Sequence, residues 1–261
     1  MTRDRRTDPV AIGVVIPARD EAARIDRCLT AVMASATALA RSCGARIGVR
    51  IVVVADACTD HTVHLLSRWS SVSTVVCTAG RVGAARAEGA RHLMSWFEAE
   101  KVPLHRSWIA NTDADSVVPT CWLTVHAAAA RRGVHLLLGT VRPDPSELDS
   151  RLERSWYAKH RLTDGHQHVH GANLGVRGDW YLAGGGFPTL ESKEDVRLAA
   201  AVAAAGGAVE RTGSAPVLTS SRLVGRAPGG FADYLRGLVP PPEDASAGRG
   251  THSEASTAAL A

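Results

Sequence analysis

Five short apolar runs, separated by helix-length segments, dominate the first half of the chain. They are AIGVVI (Ala11–Ile16), IGVRIVVV (Ile47–Val54), VSTVVC (Val72–Cys77), WIA (Trp108–Ala110) and HLLLGTV (His135–Val141). Between them, apolar residues recur at helical spacing. Glu21 to about Ala40 carries Ile25, Leu29, Val32 and Met33, and further helices are predicted over roughly Thr62–Trp69, Ala84–Glu100 and Thr120–Arg132. Strands that are apolar on both faces need helices on both sides. The βαβαβαβ alternation therefore predicts an α/β fold with a mostly parallel central sheet flanked by helices. In such open sheets ligands bind beyond the carboxyl ends of the strands. The polar residues there carry the functional information: Arg19-Asp20-Glu21, Asp56, Gly80-Arg81, and Asn111 to Asp115.

After Pro143 the pattern changes. A helix is predicted over Glu147–Leu162, followed by a polar, His- and Gly-rich region from Gly165 to Gly186. Ser192–Ala205 reads as a helix stopped by Gly206 and Gly207. Strands at Ala208–Arg211 and Val217–Thr219 and a last helix at Phe231–Leu238 complete the pattern. Residues 1–9 read as a flexible N-terminus and residues 240–261 as a disordered polar tail. Gly44 and Gly48 bracket the break before the second strand.

The chain has 261 residues, 45% of them hydrophobic, which suits one large domain with a substantial core. Net charge is +4, and only Lys101, Lys159 and Lys193 among the 30 basic residues are lysines. Arginine forks suit phosphate and carboxylate ligands. No basic run of nucleic-acid-binding type occurs, so an anionic small molecule is the expected partner rather than nucleic acid. The five cysteines have no CxxC spacing, which argues for reduced thiols rather than zinc or a disulfide framework. No apolar run reaches membrane-spanning length and the N-terminus lacks a signal-type core, so a cytoplasmic location is expected.

Asp113 and Asp115 in WIANTDADSVVP allow two readings. In an extended segment they would face the same way, about 7 Å apart, and could share a hard divalent ion. They could equally form a turn, since Asp caps its own backbone. Asp56 ends the second strand, where it could accept hydrogen bonds from a base or ribose; Thr59 or Asp60 could cap the next helix. Gly80-Arg81-Val82-Gly83 and Arg86 lead into a helix and could make an anion site, or only a solvated loop. Ser192-Lys193-Glu194-Asp195 could be a capping-box variant, with Ser192 as N-cap and Asp195 at N3, or could supply a general base. His166, His168 and His170 alternate and would share a face on a strand, as zinc ligands or as ordinary loop histidines. Trp156, Tyr157, Trp180 and Tyr181 could wall a pocket or fill the core.

In their order along the chain these segments resemble the family 2 glycosyltransferases of the GT-A fold. VVIPARDEAARIDRCL (Val14–Leu29) is similar to the family's opening strand and acidic turn, and IVVVADACTDHT (Ile51–Thr62) to its nucleoside-binding segment. AGRVGAARAEGAR (Ala79–Arg91) resembles its diphosphate-facing loop and helix, and NTDADSVVP (Asn111–Pro119) its metal-binding D-x-D. HGANLGVR (His170–Arg177), GGGFP (Gly184–Pro188) and KEDVRLA (Lys193–Ala199) resemble the acceptor-side segments and the catalytic E-D pair. The resemblance implies one Rossmann-like GT-A domain over residues 10–239. Residues 10–142 would be the nucleotide-sugar-binding half and residues 143–239 the acceptor-binding half. Pro17, Ala18, Arg19, Glu21, Asp56, Gly80, Arg81, Arg86, Asp113 and Ala114 would face the nucleotide-diphosphate-sugar donor. Asp113 and Asp115 would hold Mn2+ or Mg2+. His170, Gly171, Ala172, Asn173 and Gly185 would face a small-molecule or lipid-linked acceptor. Asp195, beside Glu194, would be the base of an inverting transfer.

Two departures stand out. Ala55 replaces a second acid found in many members, and beyond Asp195 only His252 could serve as a C-terminal histidine ligand. Arg222 and Arg226 in SSRLVGRAPGG could meet phosphate or an anionic acceptor, and neither is assigned to the site. Rival functions fit less well. A sugar-phosphate nucleotidyltransferase needs a glycine-rich basic loop where this chain has PARDEAARI. A non-catalytic nucleotide-sugar-binding domain would not need Asp113, Asp115 and Asp195 intact. A dinucleotide oxidoreductase would carry G-x-G-x-x-G after the first strand.

Overall fold

The computed structural model describes residues 8–43, 46–226 and 230–238. Its elements, in chain order, are β1 (Ala11–Ala18), α1 (Ile25–Cys43), β2 (Gly48–Asp56), α2 (Thr62–Leu66), β3 (Val72–Cys77), α3 (Val82–Ala99), β4 (Ser107–Asn111), β5 (Ser116–Val117), α4 (Trp122–Arg131), β6 (Leu136–Pro143), α5 (Ser150–Lys159), β7 (Leu174–Arg177), α6 (Gly178–Ala183), α7 (Glu194–Ala204), β8 (Val209–Thr219) and α8 (Phe231–Arg236). They form a three-layer α/β structure around one eight-stranded sheet, ordered β3-β2-β1-β4-β7-β6-β8-β5.

Strand alternation builds the layers. Ile12, Val14 and Ile16 of β1 point to the face covered by α1, α2 and α4, where they meet Leu29, Leu66 and Leu123. Ala11 and Val15 point to the opposite face and meet Leu93 and Phe97 of α3 and Leu198 of α7. Glycines set how close α3 lies: a Cβ on Gly89 would come within 2.6 Å of Val15 Cγ1. A small third cluster, Leu152 and Trp156 of α5 with Leu235 and Leu238 at α8, ties the end of the described chain to its second half.

β1 pairs in parallel with β2 and β4, β2 with β3, and β6 with β8. The expected alternation is broken at β7 and β5. β7 runs antiparallel between β4 and β6, and β5 antiparallel on β8. The connection from β6 carries α5 and ends in a 3-10 turn, Gly171–Asn173, which delivers the chain beside the end of β4, where Leu174 pairs with Asn111. The carboxyl ends of β1–β4, β6 and β8 therefore share one edge with the start of β7.

Other boundaries also differ from expectation. Glu21 precedes α1 rather than starting it, and the two strands expected at 208–211 and 217–219 are one strand, β8, with a register irregularity opposite Gly139/Val141. Gly44, the tail from residue 240 and His252 lie outside the described residues, as does most of the N-terminal stretch. Among the described residues no helix is long and apolar enough to cross a membrane.

Candidate active site

The shared strand edge opens into a cavity of about 620 Å³. Of the expected donor-facing residues, Pro17, Ala18, Arg19, Glu21, Asp56, Gly80, Arg81, Arg86, Asp113 and Ala114 all line it, together with Asp115. His170, Gly171, Ala172, Glu194 and Asp195 line it from the other side. Asn173 and Gly185 do not.

The D-x-D segment is not extended. Asp113 to Ser116 forms a turn closed by the Ser116 N–H donating to the Asp113 carbonyl oxygen at 3.0 Å. The turn hangs off the end of β4 and presents both carboxylates to the cavity. Arg86, 2% exposed, joins this turn to α7. Its Nη2 lies 2.5 Å from Asp113 Oδ1 and its Nε donates to Glu194 Oε1 at 2.9 Å. Burial opposes the Arg86 charge, but Asp113 and Glu194 outweigh it and raise its pKa. Arg86 is thus a buried bridge rather than an open anion ligand. Gly171 makes room for it: a Cβ there would sit 2.5 Å from Arg86 Nη2.

Asp195 shares the first turn of α7 with Glu194. Its Oδ2 accepts the Gly171 N–H at 2.6 Å and its Oδ1 the Val196 N–H at 2.7 Å. Burial, then the neighbouring Glu194, push its carboxyl up to about 6. The capping box does not form. Lys193, not Ser192, is the N-cap, in a left-handed backbone at φ 64°, without a side-chain cap. Asp195 accordingly stands one position earlier than N3. Left-handed geometry in a non-glycine residue costs on the order of 1–2 kcal/mol. Here that strain sits at the start of the helix carrying Glu194 and Asp195.

Asp56 organises the loop after β3. Its Oδ1 accepts the Gly80 N–H at 2.8 Å and its Oδ2 the Arg81 N–H at 3.0 Å, while the Cys77 thiol donates at 3.3 Å. Asp60 accepts the Thr62 N–H at 2.9 Å, while the N-cap of α2 is His61, without a side-chain cap. Asp20 Oδ1 brackets the same loop through the N–H groups of Thr59 and Asp60.

The residues not assigned from sequence fall on the same cavity. Arg222, just past β8, donates to both Glu21 oxygens at 3.0 and 2.8 Å and lies 2.9 Å from Asp115 Oδ2. Arg226 donates to Glu21 Oε1 at 2.9 Å. Burial, then Asp113, push the Asp115 carboxyl up to about 7, against the pull of Arg222. The signal for Arg222 was its place at a strand's carboxyl end, the rule that flagged the other residues.

Asn173 was expected to face the acceptor, but its amide is consumed by the fold. Oδ1 accepts the Trp122 indole N–H at 2.9 Å, and Nδ2 donates to the Thr140 and Ala215 carbonyl oxygens at 2.8 and 2.9 Å. Gly185 sits in the turn after α6 at φ 77°. Trp156 and Tyr181 are buried and Trp180 stacks on His135, so these aromatics fill the fold rather than wall the cavity. The three alternating histidines stack at centroid spacings of 5.9 and 5.6 Å instead of converging on an ion. Among the described residues, the metal-compatible grouping is Asp20, Cys58 and Asp60, and those carboxylates are taken up by loop hydrogen bonds.

No curated protein matches the chain. Solved structures with the same fold include S. aureus TarS 1-349 in complex with UDP, at 14% identity and TM-score 0.57, covering 81% of this chain and 61% of that one. Mannosyltransferase PcManGT from Pyrobaculum calidifontis, in complex with GDP-Man and Mn2+, is 20% identical with TM-score 0.54, covering 80% and 56%. GalNAc-T7 with UDP, GalNAc and Mn2+ is 12% identical with TM-score 0.58, covering 84% and 46%. This chain therefore spans less than two thirds of each of these structures, and the likeness is one of fold. The family model described as "Glycosyl transferase family 2" matches residues 13–178, from β1 through β7 and across the turn bearing Asp113 and Asp115. With that match over more than half its length and the GT-A arrangement of its sheet, the chain belongs to glycosyl transferase family 2.

Proposed function

We propose that the protein transfers a sugar from a nucleotide-diphosphate-sugar to an acceptor hydroxyl, with inversion, and with a divalent ion assisting. The observation that carries this reading is the Arg86 bridge. One buried guanidinium ties the D-x-D turn to the helix bearing Asp195, so a leaving-group site and a base face each other across one cavity.

The donor's base and ribose lie along Pro17–Arg19, Asp56 and the Gly80–Arg81 loop, whose strand ends point at the cavity. Asp56 fixes that loop through its backbone, and its Oδ2, which accepts only the Arg81 N–H, keeps a lone pair for a base or ribose donor. The metal reading is tested by the donor set. Asp113 and Asp115 offer hard oxygens in one turn that lines the cavity. They fit Mn2+ or Mg2+, with Asp115 as the main ligand and Asp113, partly engaged by Arg86, beside it. When bound, the ion would supply positive charge to the leaving diphosphate.

Asp195 accepts the acceptor hydroxyl proton as the acceptor oxygen bonds to the anomeric carbon. The bond from that carbon to the diphosphate breaks and the nucleoside diphosphate departs with the electron pair. A single in-line displacement inverts the configuration. A carboxylate with a pKa near 6 is deprotonated at neutral pH yet basic enough to help. Glu194, turned onto Arg86, positions this machinery rather than touching substrate. A thermal-shift series with UDP-, GDP- and dTDP-sugars, with and without Mn2+, tests the reading. Stabilisation by one nucleotide class supports it, and no shift with any donor contradicts it.

A further inference from the structure

The wall of the cavity that leads away from Asp195 is a ladder of rings. Gly171 donates its N–H to Asp195, and the preceding residue, His170, begins the series. His170 and His168 stack at 5.6 Å between centroids, and His168 and His160 lie at 4.9 Å. His160 in turn lies flat on Trp156, at 4.2 Å and an interplanar angle of 6°, with Tyr234 edge-on at 5.3 Å. His160, His168, His170 and Tyr234 all line the cavity. The ladder therefore runs from the base outward.

His160 and His170 are held neutral. Nδ1 of His160 is 2.8 Å from the Trp156 carbonyl oxygen, so Nδ1 carries the proton and Nε2 offers a lone pair. Burial pushes His160 down and His170 down to about 3. The charged side chains at this end of the cavity are mostly acidic. Glu191 and Asp195 line it against Lys193, and Glu194, which also lines it, is paired with Arg86. Arg222 and Arg226 stand at the donor end, where both are engaged by Glu21. An anionic acceptor would meet repulsion here, whereas a flat, uncharged face would meet ring surface.

We propose that the acceptor is an uncharged hydroxylated ring, a sugar or an aromatic alcohol, whose flat face lies along His170, His168 and His160 with its hydroxyl at Asp195. This rests on the glycosyl-transfer reading and names the class of its second substrate.

The test uses the full chain, its preferred nucleotide-sugar, and paired acceptors: methyl glycosides and phenols against their phosphorylated counterparts. The neutral member of each pair should be used with the higher kcat/KM. His168→Ala and Tyr234→Ala should each raise the acceptor KM by about fivefold to tenfold, the worth of one ring contact. Neither should change the donor KM or the slow hydrolysis of donor by water. His168→Phe, which restores a flat ring, should recover most of the loss. Tyr234 is 43% exposed, so its removal leaves the fold intact. Preference for phosphorylated acceptors, or an acceptor KM unmoved by both alanine variants, overturns the proposal. Donor affinity, measured separately by calorimetry, distinguishes the failures. A protein that binds donor but prefers phosphorylated acceptors loses only this inference, whereas one that binds no donor loses the glycosyl-transfer reading beneath it.

Discussion

Arg222 places its guanidinium 2.9 Å from the Asp115 carboxylate, and so supplies the positive charge to the buried end of the D-x-D turn. A divalent ion at Asp115 competes with that contact. Arg222→Ala should therefore strengthen Mn2+ binding in the absence of donor by about fivefold, the worth of a partly exposed ion pair. Calorimetric titration of Mn2+ into wild type and variant checks this. Equal affinities would show that the arginine and the ion do not share Asp115.

Arg86 is the second structural lever. Replacing it by alanine leaves Glu194, 4% exposed, with a buried charge and no partner, and frees Asp113. Breaking a buried pair in this way costs on the order of 3–5 kcal/mol. Urea unfolding should show that loss for Arg86→Ala. Arg86→Lys, which keeps the charge but cannot fork to both carboxylates, should fall between the two.

Asn173 should behave as a structural residue. Asn173→Ala strands the Trp122 indole N–H and two backbone carbonyls, at about 1–3 kcal/mol for a buried group left unsatisfied. Gly139→Ala attacks the same point, since its Cβ would sit 2.2 Å from Asn173 Nδ2. Both variants should lower the melting temperature, and Asn173→Ala should leave the acceptor KM of the remaining folded enzyme unchanged. A selective rise in acceptor KM would return Asn173 to the substrate.

The pH dependence has a definite sign. Asp195 and Asp115 have folded-state pKa values raised from 3.8 to about 6 and about 7. Both bind protons more tightly in the folded chain, so their contribution to stability is full below about pH 4 and is lost as pH rises through about 6 and 7. In metal-free buffer, Asp115→Asn should therefore raise the melting temperature relative to wild type at pH 8 and make little difference at pH 4. The opposite order would mean that Arg222 already neutralises Asp115.

Much of this was legible before the fold was seen. Short apolar runs and helical spacing located β1 to β4, and the strand-end rule found Asp56, Asp113 and Asp115, because one periodicity and one edge decide them. The rest depended on distant parts of the chain. Arg222 meets Glu21 across 201 positions, and nothing local to SSRLVGR announces that partner. Asn173 is carried to the acceptor side by the resemblance of HGANLGVR, and only the packing of β8 and Trp122 against it shows its amide to be used up. The antiparallel β7 escaped the alternation pattern because its run, Leu174–Arg177, is only 4 residues long and lies in the His- and Gly-rich region. Lys193 escaped capping logic because that logic places Ser at an N-cap, and not a lysine in the left-handed region.

Asp195→Asn separates chemistry from architecture most directly. Asn keeps an oxygen to accept one of the two backbone N–H groups but cannot take a proton. With the donor and acceptor that support turnover, the variant should bind the nucleotide-sugar as wild type does, while its kcat falls by about 10²–10⁴-fold. Wild-type turnover should itself fall tenfold per unit as pH drops below about 6. An Asp195→Asn protein that transfers sugar at the wild-type rate would show that this carboxylate is not the base.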